Sequence, residues 1–553
     1  MKKVIPILIA LVLIIGVGAA WVVSILIERK TPTDDRMDSA VYYNMTEEDQ
    51  VALIINGTIN ESFGKKIDGT VFIDYHTVSD YINKRFYWDV NEQLMLYALP
   101  TEVIKVDLKT ENADYRMIDD TLYISMNAIM QYTEMDCQVF DSPDRVVIRN
   151  EWDDVQVAYA QTDSHVRYRG GIKSEILTDV ANGAEIQVLD AESFENWAQV
   201  ATSDGYIGYI EKADLSDVQE KTYDYVNQGT GYTSISRDHK INMVWHQVTN
   251  QSANNNVGEL LDTTSGVNVV APTWFFIDDI NGSMVNLSSS DYVAEAHARG
   301  IEVWAVINDF DGSMASKDST YAVLSKTSAR EKIITEVVNS VLACGADGIN
   351  VDIEKVSESC ATHYLQFIRE LSVQCRNNGL VLSIDNYVPT YSAYFDREEQ
   401  GIVADYVIIM GYDEHYAGSE ETGSVASISF VEDGIKRTLE EVPAEKVINA
   451  IPFYTRIWTT DSNGQITSEA CAMSVAEDFL TTNGLSKYWD NEAGQNYAEM
   501  HKDDSFYQVW MEDAQSVAEK MKLIQSYDLA GVSAWKLGFE TQDIWGVINQ
   551  YLQ

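Results

Sequence analysis

The residues best placed to do chemistry lie in one run, Asp347-Gly348-Ile349-Asn350-Val351-Asp352-Ile353-Glu354. Read as a strand, its side chains alternate between two faces. Ile349, Val351 and Ile353 form an apolar row, and Asn350, Asp352 and Glu354 form the opposite one. Acids turned into a protein interior are costly unless each is hydrogen-bonded or titrates abnormally. Catalysis accounts for such a row better than a structural role does. Other candidates are weaker. His246 and His415 lack partners at metal-ligand spacing, although His415, directly after Asp413-Glu414, is placed to shape a ligand subsite. Gly345 and Gly348 make no phosphate-cradling loop, and no Ser-centred nucleophile elbow is present. No metal and no cofactor is expected.

The elements around this run set its context. From about residue 238 the pattern becomes apolar strand, polar loop, amphipathic helix, repeated to residue 553. Eight strand candidates fall at 243–248, 267–274, 303–307, 348–354, 381–384, 406–412, 447–451 and 531–535. Eight strands alternating with helices predict an α/β fold, a (β/α)8 TIM barrel. In that fold, catalytic groups sit at the C-terminal ends of the strands, and Glu354 ends the fourth.

At this point a resemblance becomes specific. The run resembles the DxxDxDxE signature of glycoside hydrolase family 18, the chitinase and N-acetylglucosaminidase family. Asp347, Asp352 and Glu354 match, and Asn350 occupies the place of an Asp, as in the spore- and wall-associated branch. Met410-Gly411-Tyr412-Asp413 resembles the family's MxYD motif. Trp535 matches the tryptophan floor of strand eight. Pro452-Phe453-Tyr454-Thr455-Arg456 closes strand seven in a similar way, and Pro272-Thr273-Trp274-Phe275 ends strand two. The resemblance implies catalytic Glu354, Asp352 and Tyr412, with Asp347, Asn350, Met410, Asp413, Tyr454, Trp535 and Trp274 binding substrate. Glu354 would be the general acid, its pKa raised by the like charge of Asp352. Asp352 would orient the substrate N-acetyl group, whose carbonyl oxygen is the nucleophile. Tyr412 would bond that carbonyl, Asp413 the distorted sugar, and Trp535 would give the sugar face a platform. The implied activity is substrate-assisted, retaining hydrolysis of β-linked N-acetylhexosamine polymers: peptidoglycan, spore cortex or chitin-like. A catalytically dead sugar-binding lectin and a structural wall or coat protein are the other classes, but lectin members typically lose the acid and Glu354 is present.

The remaining chain suggests delivery to the cell exterior. Residues 4–27 carry no charge, follow Lys2 and Lys3, and precede Glu28-Arg29-Lys30. About 20 apolar residues span a bilayer as helix, so residues 1–30 read as a signal anchor in the lipid bilayer, giving a single-pass protein with an extracytoplasmic catalytic domain. The small residues at 16–20 keep a cleaved leader, and a secreted protein, as the alternative. Residues 31–49 read as a linker. Residues 50–150 hold an internal repeat: Gly69-Thr70-Val71-Phe72-Ile73 returns as Asp120-Thr121-Leu122-Tyr123-Ile124. They resemble the module named after the N-terminal domain of copper amine oxidases, without a His or Cys cluster for copper. Residues 155–216, with short alternating strands and glycine turns, resemble bacterial SH3-like domains, and 217–237 read as a second linker. A barrel cut at about residue 235 is expected to fold alone. The formal net charge of −47 argues against nucleic acid as partner. Five cysteines without metal-type spacing read as unpaired structural residues.

Overall fold

The computed structural model describes residues 4–223, 231–310, 314 and 316–552. The chain starts with a helix, Val4–Lys30, whose Leu8–Lys30 stretch has a hydropathy of 2.7 and is long and apolar enough to cross a membrane. The protein divides into two compact units, Met1–Trp88 with Asp107–Gly229 and Asp89–Val106 with Thr230–Gln553.

The first unit contains two seven-stranded sheets. In one, the strands Thr70–Asp74 and Thr121–Ser125 pair side by side, antiparallel. Each runs into a seven-residue helix, Tyr75–Tyr81 or Met126–Tyr132, capped by the side chain of Asp74 or Ser125. The internal repeat is therefore a strand–cap–helix unit used twice. The copies then part. The second copy's hairpin, Asp136–Phe140 with Arg145–Arg149, joins the sheet through parallel pairing with Gln50–Ile55. The first copy continues into a separate three-stranded sheet of Tyr87–Asp89, Leu94–Ala98 and Val103–Asp107, and its residues 89–106 belong to the second unit. The other seven-stranded sheet is antiparallel and runs from Val155–Tyr159 to Gln219–Lys221. Of the linker expected at 217–237, Gln219–Lys221 is thus a strand, and residues 224–230 lie outside the described residues. Ile235 and Arg237 bond Asp405 and Glu302 of the barrel.

The second unit is built on eight parallel strands: β1 (Ile241–His246), β2 (Val269–Ile277), β3 (Glu302–Asn308), β4 (Gly348–Asp352), β5 (Val381–Tyr387), β6 (Tyr406–Met410), β7 (Val447–Pro452) and β8 (Gly531–Trp535). β1 pairs with both β2 and β8, which closes the barrel. All eight expected segments overlap barrel strands, although the fourth strand ends at Asp352, short of Glu354. Inward side chains such as Met243, Ala271, Val306 and Ile408 form one apolar cluster. A larger cluster lies between strands and helices.

Two features were not anticipated. Between β7 and β8 the chain inserts a five-stranded antiparallel sheet, with strands drawn from Tyr454–Thr460 to Ser505–Met511, and a helix, Met473–Asn483. Cys471 lies in this insertion, not in a barrel element; all five cysteines are unpaired. The second feature is a cap supplied from far away in sequence. Helix Thr327–Cys344 starts after Lys326, which makes no side-chain capping bond. Asp89, fully buried, instead accepts from Thr327 N at 2.7 Å and Thr327 Oγ1 at 2.6 Å, and Glu92 accepts from Ser328 N at 2.8 Å. These acids meet the orphan N–H groups and the positive end of the helix dipole.

Candidate active site

β4 carries the centre of the site. Asn350 and Asp352 point into the barrel, while Ile349, Val351 and Ile353 enter the outer apolar layer. Glu354 follows two residues beyond the strand. Its backbone N–H, and that of Lys355, donate at 3.1 Å to the two carboxylate oxygens of Asp309, just after β3. The Glu354 side chain accepts from the Tyr387 hydroxyl at the end of β5. Beneath it, the Trp245 indole N–H donates to Asn350 Oδ1 at 2.9 Å, and Asn350 Nδ2 donates to Asp385 Oδ1 at 2.8 Å. Asp352 Oδ1 and Asp385 Oδ2 are buried without a hydrogen-bond partner among the described residues.

Above these groups opens a cavity of about 200 Å³ lined by Asp352, Glu354, Met410, Tyr412, Asp413, Tyr454 and Trp535, with Trp245, Phe310 and Asp385. The Trp245 and Trp535 rings lie 6.2 Å apart, tilted by 55°. Asp413, in left-handed backbone at φ 59°, accepts from the Tyr454 hydroxyl at 2.6 Å. Tyr412 packs edge-on to Tyr454 at 6.1 Å. Its hydroxyl makes no hydrogen bond among the described residues, so it is available to a ligand.

Burial governs the titration of this floor. It pushes the Asp352 carboxyl well above the usual carboxylate range, reinforced by Glu354, Asp385 and Asp309. Burial likewise raises Asp385 well above that range. Glu354 is raised to about 7, first by burial, against the lowering effect of the Tyr387 hydrogen bond. Asp309 adds a like charge, whereas a hydrogen bond with Asp352 lowers the Glu354 value. Burial, rather than the like charge of Asp352 that the sequence suggested, is thus the largest cause of the Glu354 elevation.

Seven expected residues converge on the cavity: Glu354, Asp352, Tyr412, Met410, Asp413, Tyr454 and Trp535. Asn350 lies one layer below. Asp347 and Trp274, expected to bind substrate, do not reach it. Asp347 precedes the first residue of β4 and accepts from His297 Nε2 and Val303 N, both at 2.8 Å, tying elements together at the opposite end of the strands. Trp274 is fully buried in the outer layer, donating to Asn254 Oδ1 at 2.8 Å. Its odd-even position faces the helices. His415 holds its own loop through Ser424 O at 2.9 Å, and His246 meets the Tyr292 hydroxyl at 3.0 Å. Sequence reasoning missed Trp245, Asp309, Asp385 and Tyr387. The alternation Ser383, Asp385, Tyr387 along β5 is the same signal that singled out β4.

The site thus stands in a closed parallel barrel, with a buried acid pair at the end of β4 and aromatic residues from β1, β6 and β8 around it. Residues 276–540 match the profile of glycosyl hydrolases family 18, and residues 167–215 that of the bacterial dipeptidyl-peptidase SH3 domain. The chain thus carries a family 18 glycosyl hydrolase domain behind an SH3 domain. Among curated relatives, it is 26% identical over 299 residues to the uncharacterized glycosylase YvbX of Bacillus subtilis (strain 168), covering 51% of this chain and 84% of that one. It is 25% identical over 279 residues to the cortical fragment-lytic enzyme of the same strain. That match covers 49% of this chain and 64%, under two thirds, of the relative. A chitinase from Chromobacterium violaceum ATCC 12472 superposes with a TM-score of 0.51 at 25% identity, over 57% of this chain and 99% of that one.

Proposed function

We propose that the barrel hydrolyses β-linked N-acetylhexosamine polymers, of the peptidoglycan, cortex or chitin-like kind, outside the cell and by substrate-assisted, retaining catalysis. The observation that carries this reading is the Glu354 carboxyl, poised at a pKa of about 7 on the cavity floor with Asp352 behind it and the free Tyr412 hydroxyl opening onto the same cavity. A general acid works best when its pKa lies near the working pH. Glu354 protonates the leaving glycosidic oxygen. The substrate acetamido oxygen attacks the anomeric carbon, Tyr412 donates to that oxygen, and Asp352 accepts from the acetamido N–H. Glu354 then takes a proton from water as the cyclised intermediate opens, so configuration is retained. Trp535 and Trp245 supply apolar faces to the sugar. A relative named for lysis of cortical fragments and a structural neighbour titled chitinase support a polymer built on N-acetylated sugars.

The experiment is turnover of a fluorogenic N-acetylglucosaminide by residues 31–553, followed by mass spectrometry of products from peptidoglycan, cortex fragments and chitin oligomers. Products with free reducing N-acetylhexosamine ends are expected, and a thiazoline mimic of the cyclised intermediate should inhibit competitively. Equal turnover of substrates lacking the acetyl group at the cleaved position would overturn the mechanism.

A further inference from the structure

The stretch 31–49, read from the sequence as a linker, is instead folded onto the SH3 module as far as Met45. Only Thr31 and Pro32 separate helix Val4–Lys30 from the point where the chain docks. Thr33 N donates to Ile172 O at 2.8 Å, and Arg167 Nη1 donates to Thr33 O at 3.0 Å and Ser174 O at 2.7 Å. Arg36 then pairs in parallel with Ile176, and Met37 N donates to Ile176 O at 3.0 Å. Asp38 caps a short helix, Ser39–Tyr42, after which the buried Tyr43 donates its hydroxyl to Gly205 O at 2.9 Å.

This docking constrains what lies beside a membrane. The 23 residues of Leu8–Lys30 make a helix about 35 Å long, enough for a hydrocarbon core of roughly 30 Å. In an uncleaved anchor Lys30 therefore reaches the headgroup layer. Three residues of extended chain put Thr33 within about 11 Å of Lys30. The loop that binds Thr33, residues 168–174, is thus kept at the bilayer surface.

The composition of the loop fits that place. Arg167-Tyr168-Arg169-Gly170-Gly171-Ile172-Lys173 holds three bases and no acid, in a chain of 86 acids and 39 bases. Arg167 is spent on backbone carbonyls, but Arg169 and Lys173 are exposed and form no ion pair among the described residues. The nearby Asp179 is taken up by Arg36 and His165. Tyr168, 39% exposed, lies under the Arg169 guanidinium at 5.4 Å. Phe194, 51% exposed, packs against Gly170 and edge-on to Tyr209 at 5.4 Å. Exposed rings beside free cations suit the headgroup level, where rings reach the acyl boundary and cations meet phosphates.

Taking Val4–Lys30 as an uncleaved anchor, and going beyond the hydrolase reading, we propose that this face of the SH3 module rests on anionic phospholipid headgroups beside its own membrane helix. Arg29, Lys30, Arg169 and Lys173 meet the headgroup phosphates, and Tyr168 and Phe194 lie at the interface. The short tether supplies most of the hold, since a protein of net charge −47 is otherwise repelled by an anionic bilayer. The patch fixes which side of the module faces the lipid.

The test uses the full chain in vesicles, with the photo-reactive residue p-benzoylphenylalanine in place of Tyr168. In vesicles of phosphatidylglycerol and phosphatidylcholine, illumination should join this position to lipid, read as lipid-sized mass increments on its peptide. Inserting about 20 Gly and Ser residues between Thr31 and Pro32 should lower the adduct yield on the order of tenfold, as the effective concentration falls. Arg169→Glu/Lys173→Glu, with the tether unchanged, should lower it several-fold on these vesicles and little on phosphatidylcholine alone. No lipid adduct in protein that sediments with the vesicles overturns the inference, as does a yield indifferent to both changes. Protein that stays in solution sinks the anchor reading and the inference with it. Neither outcome alters turnover of the N-acetylglucosaminide, which tests the hydrolase reading separately.

Discussion

At the scale of single residues, the site trades stability for a proton held near neutrality. The Glu354 carboxyl is raised to about 7 in the folded protein, well above its value in an unfolded chain. Between the two values the folded state binds more protons than the unfolded one, so stability is fully present below about pH 4.3 and declines as pH rises toward 7. Each unit of elevation costs about 1.4 kcal/mol. Glu354→Gln removes that cost. It should therefore raise the melting temperature at pH 7.5 but not at pH 4, while activity falls by about 10²–10⁴-fold. Melts at the two pH values and one activity assay check both halves. Tyr387→Phe works in the other direction. Losing the hydrogen bond that lowers Glu354 should move the alkaline limb of kcat/KM to higher pH, and a pH–rate profile that stays in place refutes this role.

Among the elements, the decisive contribution comes from a segment that precedes the barrel. Asp89 and Glu92 cap helix Thr327–Cys344, whose own N-cap residue makes no such bond. Lys105 adds a surface ion pair to Glu331 on the same helix at 2.6 Å, worth little by itself. Helix-cap deletions cost about 0.5–2 kcal/mol, and the full burial of Asp89 puts it at the upper end. Asp89→Ala should thus lower the denaturant midpoint of the barrel unit measurably. For the same reason, a fragment of residues 231–553 should be less stable than one that retains 89–106, which revises the simple cut at residue 235. Equal midpoints for the two fragments would show the cap to be dispensable.

For the whole molecule, the N-terminal helix and the charge set what placement and solubility should be tested. No side chain described within Leu8–Lys30 is buried inside the protein, and a bilayer is the solvent such a surface fits. The protein should sediment with membranes, and removal of residues 1–30 should release it into the soluble fraction with its activity on short substrates intact. Mature protein that is free in the medium and begins near residue 20 would instead mark a cleaved leader. With a net charge of −47, soluble fragments should stay monodisperse at low salt near neutral pH, since like charges keep the molecules apart.

The sequence by itself determined the barrel, the β4 acid row and the aromatic ends of β6 and β8. Buried parallel strands read as apolar runs, and an acid row with period two inside such a run costs too much to persist without a chemical use. The strand–helix repeat near the N-terminus was legible for a similar reason, because its units keep the same local pattern. Tertiary structure alone decided the rest. Asp347 and Asp352 share one motif, yet five residues of extended chain put them at opposite ends of a strand, so only the latter reaches the cavity. Trp274 on β2 is turned to the outer layer, whereas Trp245 on β1 is turned to the barrel interior and the cavity. The insertion at Tyr454–Met511 shows in the barrel rhythm only as the long gap between the seventh and eighth strands, and its five-stranded sheet exists only through pairing. The hydrogen bonds of Asp385 through Asn350 to Trp245, and the cap that Asp89 places on Thr327, join residues 35 to 238 positions apart. Local periodicity carries no information about such pairings, which exist only once the barrel has closed.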